Sequence, residues 1–167
     1  MVDTKEHIAI EEVWKILESV PDPEIPVISI VELGVVRDVK RIEDSIDIII
    51  TPTYTGCPAM DMISVMIKAA LEDHKITNYQ LKTILTPPWT TDWMSAETKD
   101  KLKAYGIAPP AENTQDKNSI LGHSITVACP QCDSSNTVML SQFGSTPCKS
   151  LYKCNDCLEP FDYFKCH

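Results

Sequence analysis

The chain has 167 residues, 43% of them hydrophobic, which is enough for one ordinary packed domain or for a smaller domain with an appendage. With 15 basic against 24 acidic residues it carries a formal charge of −9, which argues against general nucleic-acid binding because phosphate neutralisation needs a basic surface. No apolar run reaches membrane-spanning length, and the start Met1-Val2-Asp3-Thr4-Lys5-Glu6-His7 lacks the basic and apolar regions of a signal peptide, so a cytoplasmic protein without membrane contact is expected.

Ile10, Val13, Trp14 and Leu17 share one helical face, with Glu11, Glu12, Lys15 and Glu18 opposite. This predicts an amphipathic helix that stops before Pro21. The next segment, Val20 to Val27, has three prolines, Pro21, Pro23 and Pro26. Proline fixes φ and removes a donor, so the segment reads as a stiff extended loop that either presents Asp22 and Glu24 or simply connects two elements. Val31 to Val39 reads as a strand with Gly34 inside it, at a bulge or a close backbone approach. Ile46, Ile48, Ile49 and Ile50 form a second strand, reached through the polar turn Arg41 to Ser45, as in an antiparallel hairpin.

The second strand breaks at Thr51-Pro52-Thr53-Tyr54-Thr55-Gly56-Cys57-Pro58, and a helix follows with Ala59, Met62, Ile63, Met66, Ile67, Ala70 and Leu71 on one side. Pro58 suits the first helical position, which sets Cys57 at or next to the N-cap. Unpaired N–H groups and the helix dipole favour a thiolate there, so Cys57 is a candidate nucleophile or metal ligand; a buried, inert thiol is the alternative. Tyr79 to Leu85 reads as a third strand, parallel to the second because a helix intervenes. The loop Thr86 to Met94 carries Trp89 and Trp93, and the crossover should bring it out beside the Cys57 turn. There the tryptophans either line a site or cap the edge of the core. Ser95 can cap a last helix through about Tyr105, with Gly106 ending it. The expected architecture is α+β: a small mixed sheet in the order α-β-β-α-β-α over residues 1–108, then a polar linker over 109–122.

Residues 123–167 differ in kind. Six of the seven cysteines lie at this end, and in a reducing compartment such crowding implies metal sooner than disulfides. Cys129-Pro130-Gln131-Cys132 and Cys154-Asn155-Asp156-Cys157 are two Cys-x-x-Cys knuckles separated by 21 residues, the spacing of a four-thiolate zinc ribbon. A β-rich core this small could hardly fold without the ion. Cys148 and Cys166 remain as a substitute ligand, a second site or inert thiols, and His123 and His167 read as exposed polar groups.

Asp22-Pro23-Glu24 after a helix, Leu33-Gly34-Val35, the Thr51-to-Pro58 turn with its cysteine, and Pro88-Trp89 after the third strand resemble the SufT-like domain of iron–sulfur assembly factors over about residues 8–107. The double-tryptophan loop Pro88 to Met94, Tyr105 to Pro110, Phe143-Gly144-Ser145-Thr146 and the ending Glu159 to Cys166 resemble, more narrowly, the PaaD family of accessory proteins of the bacterial phenylacetyl-CoA ring-epoxidase system. The resemblance implies a maturation role without turnover, serving the di-iron oxygenase and the iron–sulfur reductase of that system. It implies that Cys57 is the thiolate handling iron or an iron–sulfur cluster, with Asp22, Glu24 and Trp89 beside it. It implies further that Cys129, Cys132, Cys154 and Cys157 hold zinc or iron, and it leaves Cys148 and Cys166 as additional ligands without an assigned role. The partners it implies are the epoxidase components and the iron–sulfur assembly machinery, with a homodimer as one way to complete a cluster's ligands.

Two other readings compete. In one, Cys57 is an enzyme's nucleophile, which ordinarily needs a histidine base; His74 lies at the far end of a helix roughly 25 Å long. In the other the chain is an adaptor, with the ribbon docking and Cys57 buried. No GxGxxG, P-loop or HExxH pattern supports nucleotide or zincin chemistry.

Overall fold

The computed structural model describes residues 8–110 and 126–165. Its contacts divide the chain into two compact units, Met1–Trp89 and Thr90–His167. In the first unit α1 (Ile10–Glu18), β1 (Val36–Ile42), β2 (Ser45–Ile50), α2 (Ala59–Asp73) and β3 (Tyr79–Thr83) succeed one another as the patterning predicts. β2 is the central strand, antiparallel to β1 and parallel to β3. Ile46, Ile48 and Ile50 alternate onto one face and are buried, while on the other face Asp47 pairs with Lys82 across the β2–β3 ladder.

α1 packs on β1 and on α2. Its buried residues are Val13, Ile16 and Leu17; Ile10 and Trp14 of the expected stripe are only half-buried, and Ile16 takes the inward place. α2 buries Ala59, Ile63, Ile67 and Leu71, a single row at four-residue spacing. Each fully buried Ile or Leu contributes about 1.5–3 kcal/mol. Met62, expected on the inner side, is exposed because one row fills the space above so small a sheet.

The strand expected from Val31 begins only at Val36. The cause is a capping box: the Ser29 N–H donates to Glu32 Oε2 at 2.9 Å, and the Glu32 N–H donates to Ser29 Oγ at 3.1 Å. That reciprocal pair closes a helical turn over Ser29–Gly34, with Leu33 N–H on the Ser29 carbonyl at 2.9 Å. Gly34 ends the turn at φ 78°, a left-handed conformation that glycine adopts without strain, and so lies before the strand. The irregularity in the ladder falls between Val36 and Asp38.

The second unit contains α3 (Ala96–Ala104), β4 (Ile107–Ala108), β5 (Thr137–Ser141), β6 (Lys149–Cys154) and β7 (Pro160–Phe164). Ser95 caps α3 as expected, its Oγ accepting from the Thr98 N–H at 3.1 Å. The strands order β4-β7-β6-β5, with β4 parallel to β7 and the rest antiparallel. By contacts the second unit begins before α3, and Ile107-Ala108 adds a strand to the ribbon sheet. Ala108, Val127, Tyr152, Phe161 and Tyr163 pack with Cys129 and Cys154 in one cluster. Tyr152 stacks on Phe161 at 5.8 Å and meets Tyr163 edge-on at 5.7 Å.

The Phe143-to-Thr146 motif has a packing reason. A Cβ on Gly144 would stand 2.3 Å from Asp162 Oδ1. Asp162 in turn lies 3.7 Å from the buried Lys149 ammonium and accepts from Ser145 Oγ at 2.8 Å. A side chain there would have to push the Asp162 carboxylate out of its place beside Lys149. Of the expected linker, residues 111–122 lie outside the described residues, as do His123, Cys166 and His167.

Candidate metal centre and the Cys57 junction

In the first unit β2 runs out at Ile50, Thr51 donates to the Val35 carbonyl at 2.9 Å, and the turn to α2 follows. The Cys57 N–H donates to the Tyr54 carbonyl at 3.2 Å, and the Cys57 carbonyl accepts from Met60 at 3.3 Å. Pro58 already has helical dihedrals, φ −68° and ψ −20°, so Cys57 stands next to the N-cap of α2. Its side chain is half-buried. Among the described residues no hydrogen bond or ion pair reaches its sulfur. Gly56 beside it has φ 82° and open space where a Cβ would be.

Asp22 is only 4% exposed and is not held out to solvent. Its Oδ1 accepts from the N–H groups of Glu24 at 2.9 Å and Ile25 at 2.8 Å, while its own N–H donates to the Ile28 carbonyl at 2.9 Å. The acid shapes the proline-rich loop from inside, as an Asx turn. Glu24 is half-buried. Trp89 is 4% exposed, and its Nε1–H donates to the Leu33 carbonyl at 2.9 Å. That bond ties the loop after β3 to the capped Ser29–Gly34 turn, and the indole fills the core's edge.

In the second unit the four knuckle sulfurs converge, each within 4.8 Å of the others. Cys129 Sγ lies 3.6 Å from Cys157 Sγ, and Cys132 Sγ lies 3.6 Å from Cys154 Sγ. Zinc–thiolate bonds of about 2.3 Å in a tetrahedron set sulfurs about 3.8 Å apart, so the set fits a four-coordinate ion. Cys129 and Cys154 are fully buried, Cys157 is half-buried and Cys132 is exposed. Each knuckle turns on a left-handed residue just past its second cysteine, Asp133 at φ 59° and Leu158 at φ 68°.

The thiols compete for one negative charge. The Cys157 N–H on its sulfur, at 3.5 Å, is the chief reason that Cys154 is lowered to about 7. Cys157 is pushed up to about 12: the Glu159 N–H acts downward, but burial and the neighbouring thiols outweigh it. Cys132 is also raised; the Ser134 backbone acts downward and is outweighed by burial and the facing thiols. Four thiolates this close need a cation.

Between the knuckles runs a polar network that the cysteine spacing does not reveal. Asp156 accepts from Ser134 Oγ and, at 2.8 Å, from Asn136 Nδ2, and these two bonds hold its carboxyl below the usual range. Cys148 is buried in the same unit, its Sγ 3.0 Å from Thr146 Oγ1, and does not belong to the four-sulfur group. The neighbouring Lys149 directs its ammonium to Asp162.

Similarity to known proteins follows the same division. A family described as "PaaD zinc beta ribbon domain" matches residues 113–165, and one described as "Iron-sulfur cluster assembly protein" matches residues 10–76. An Escherichia coli K12 protein, named as a component of 1,2-phenylacetyl-CoA epoxidase, is 44% identical over 163 residues, 94% of this chain and 93% of that one. The Bacillus subtilis Fe-S protein maturation auxiliary factor YitW is 40% identical over 94 residues, covering 55% of this chain and 91% of that protein. The crystal structure of a DUF59 domain from Bacillus anthracis is similar at a TM-score of 0.52 and 31% identity, covering 56% of this chain and 90% of the other. No helix among the described residues is long and apolar enough to cross a membrane.

Proposed function

This chain belongs to the PaaD family, and from that premise we propose that it is a non-catalytic maturation factor for the metal centres of a phenylacetyl-CoA epoxidase. Cys57 is the transient ligand for iron or an iron–sulfur cluster. The observation that carries this is its setting: a half-buried thiol at a helix N-terminus, within the stretch matching iron–sulfur assembly proteins, with no described group bonded to its sulfur. A catalytic cysteine needs a base within hydrogen-bond reach, whereas a ligand needs only access.

A single thiolate cannot hold a cluster that takes four ligands, so the remainder come from a partner: a second copy, the assembly machinery that delivers iron, or the oxygenase or reductase component that receives it. Asp22 shapes the proline-rich loop and Trp89 anchors the loop after β3, and with Glu24 they are the residues that the family resemblance sets beside Cys57. Cys129, Cys132, Cys154 and Cys157 hold zinc, which when bound supplies a structural cross-link between the two knuckles. The ribbon also docks: edge strand β5 and the turn after it leave Val138, Met139, Leu140 and Phe143 exposed. Both roles belong in the cytoplasm, where thiols stay reduced.

The test is the epoxidase made in a strain whose only copy of this factor carries Cys57→Ser. The expected product is assembled but deficient in iron, and a fully metallated epoxidase from that strain overturns the proposal.

A further inference from the structure

No disulfide joins the two knuckles, which lie 21 residues apart in sequence, yet the sulfurs stand at metal-ready spacing. Packing accounts for half of this, since Cys129 and Cys154 are locked into the aromatic cluster. Cys132 is exposed and Cys157 half-buried, so packing fixes them less. Next to these two ligands in sequence lie the residues that bond across. Ser134 Oγ donates to Asp156 Oδ2, Asn136 Nδ2 donates to Asp156 Oδ1 at 2.8 Å, Asn155 Nδ2 donates to Asn136 Oδ1 at 3.0 Å, and the Asn155 N–H donates to the Asn136 carbonyl at 2.9 Å. The network also runs back to a ligand on each side. The Ser134 carbonyl accepts from the Cys129 N–H at 2.9 Å, and the N–H of the Asp156–Cys157 peptide, that of Cys157, donates to the Cys154 sulfur at 3.5 Å.

We infer that Asp156, with Ser134 and Asn136, is the positioning clasp of the metal centre, holding the two knuckles in register so that an ion meets an assembled four-sulfur site. The inference rests on the reading that these cysteines bind a metal. Its physical basis is preorganisation. The solvent-facing carboxylate costs little desolvation, takes two side-chain donors from the opposite knuckle and fixes the peptide whose N–H faces Cys154. Losing it lets the Cys132 and Cys157 loops part, and each binding event must then restore their order.

The test uses the full-length chain stripped of metal, titrated with Co(II) and then competed with Zn(II). Asp156→Ala should weaken both by about 10- to 100-fold, the usual cost of removing a group that orients a ligand. Asp156→Asn keeps an acceptor for Asn136 and a group that can pair with the Ser134 hydroxyl, so it should recover most of the loss. Ser145→Ala deletes a 2.8 Å bond to Asp162 in the same sheet and should keep the parental affinity. Parental affinity in Asp156→Ala overturns the clasp. So does an equal loss in Asp156→Asn, which would make the charge and not the bonds responsible, or an equal loss in Ser145→Ala, which would make the effect global. A parental chain that takes up no Co(II) overturns the metal reading and the inference with it.

Discussion

Cys57 and the four ribbon cysteines are held by different means. Cys57 owes its place to backbone: a broken strand, a glycine at φ 82° and a proline that starts α2, with no side chain among the described residues bonded to its sulfur. The ribbon thiols are held by side chains, through an aromatic cluster behind Cys129 and Cys154 and a polar clasp beside Cys132 and Cys157. The first arrangement leaves one half-buried thiol outside the buried core of its unit. The second makes the thiols part of the core, so that whatever binds them also holds the unit together. Transfer of a metal asks for the first design and retention for the second.

The contrast breaks most visibly at a buried ligand. Cys154→Ser should abolish metal binding by the ribbon and unfold it, since structural zinc supplies on the order of 10 kcal/mol to such domains. Loss of the near-ultraviolet dichroism of the Tyr152–Phe161–Tyr163 cluster and of stoichiometric zinc are the readouts, and a folded metal-bound variant would refute the retention role.

Acid should act on the same site. The folded thiol of Cys157 stands near 12 and that of Cys132 is raised, so binding displaces their protons throughout the neutral range. Cys154 is lowered to about 7, below an ordinary thiol, so it adds a displaced proton only below that pH. Affinity should therefore rise with pH, about tenfold per unit for each proton displaced, with a steeper slope below about pH 7 than above it. Zinc competition measured from pH 6 to 8 checks the slope, and a pH-independent affinity would contradict it.

In the first unit the largest effect is expected away from the cysteine. Trp89→Ala removes a buried indole and its bond to the Leu33 carbonyl and should cost about 3–5 kcal/mol in denaturant unfolding. Trp89→Phe should cost less, about 1–2 kcal/mol, because the Leu33 carbonyl loses its donor but the ring still packs. A Trp89→Phe variant as stable as the parent would show that the bond contributes nothing, and equal losses in the two variants would show that the packing of the ring contributes nothing.

Cys57→Ser should be the smallest perturbation, within about 0.5 kcal/mol of the parent, because no bonded partner is lost and the volumes are close. Alkylation sharpens the comparison: in the metal-loaded chain iodoacetamide should modify Cys57 well before Cys129 or Cys154, as read by peptide mass mapping. The reverse order would exchange the roles assigned to the two sites.

Much of this was legible in the residues. Four-residue spacing announced α2, the isoleucine run announced β2, and Pro58 placed Cys57 at the helix start, because each is a local steric or periodic rule that tertiary packing did not override. The two Cys-x-x-Cys knuckles announced the four-sulfur cluster because a tight turn presents its two thiols together whatever surrounds it. Ser29-Ile30-Val31-Glu32 carried a readable capping signature, yet the aliphatic run around it favoured a strand; the reciprocal bonds won.

What only the tertiary structure decided is how polar and aromatic groups are spent. Asp22 turned inward to bond its own loop, Trp89 turned inward to bond Leu33, Ile107-Ala108 joined the ribbon sheet across more than fifty residues of sequence, and Asp156 bridged the knuckles. Sequence spacing fixes what a residue can reach within its own helix, strand or turn. A carboxylate or an indole, by contrast, chooses between solvent and a buried donor or acceptor according to which backbone groups the rest of the fold leaves unpaired, and those are set by chain that lies far away in sequence.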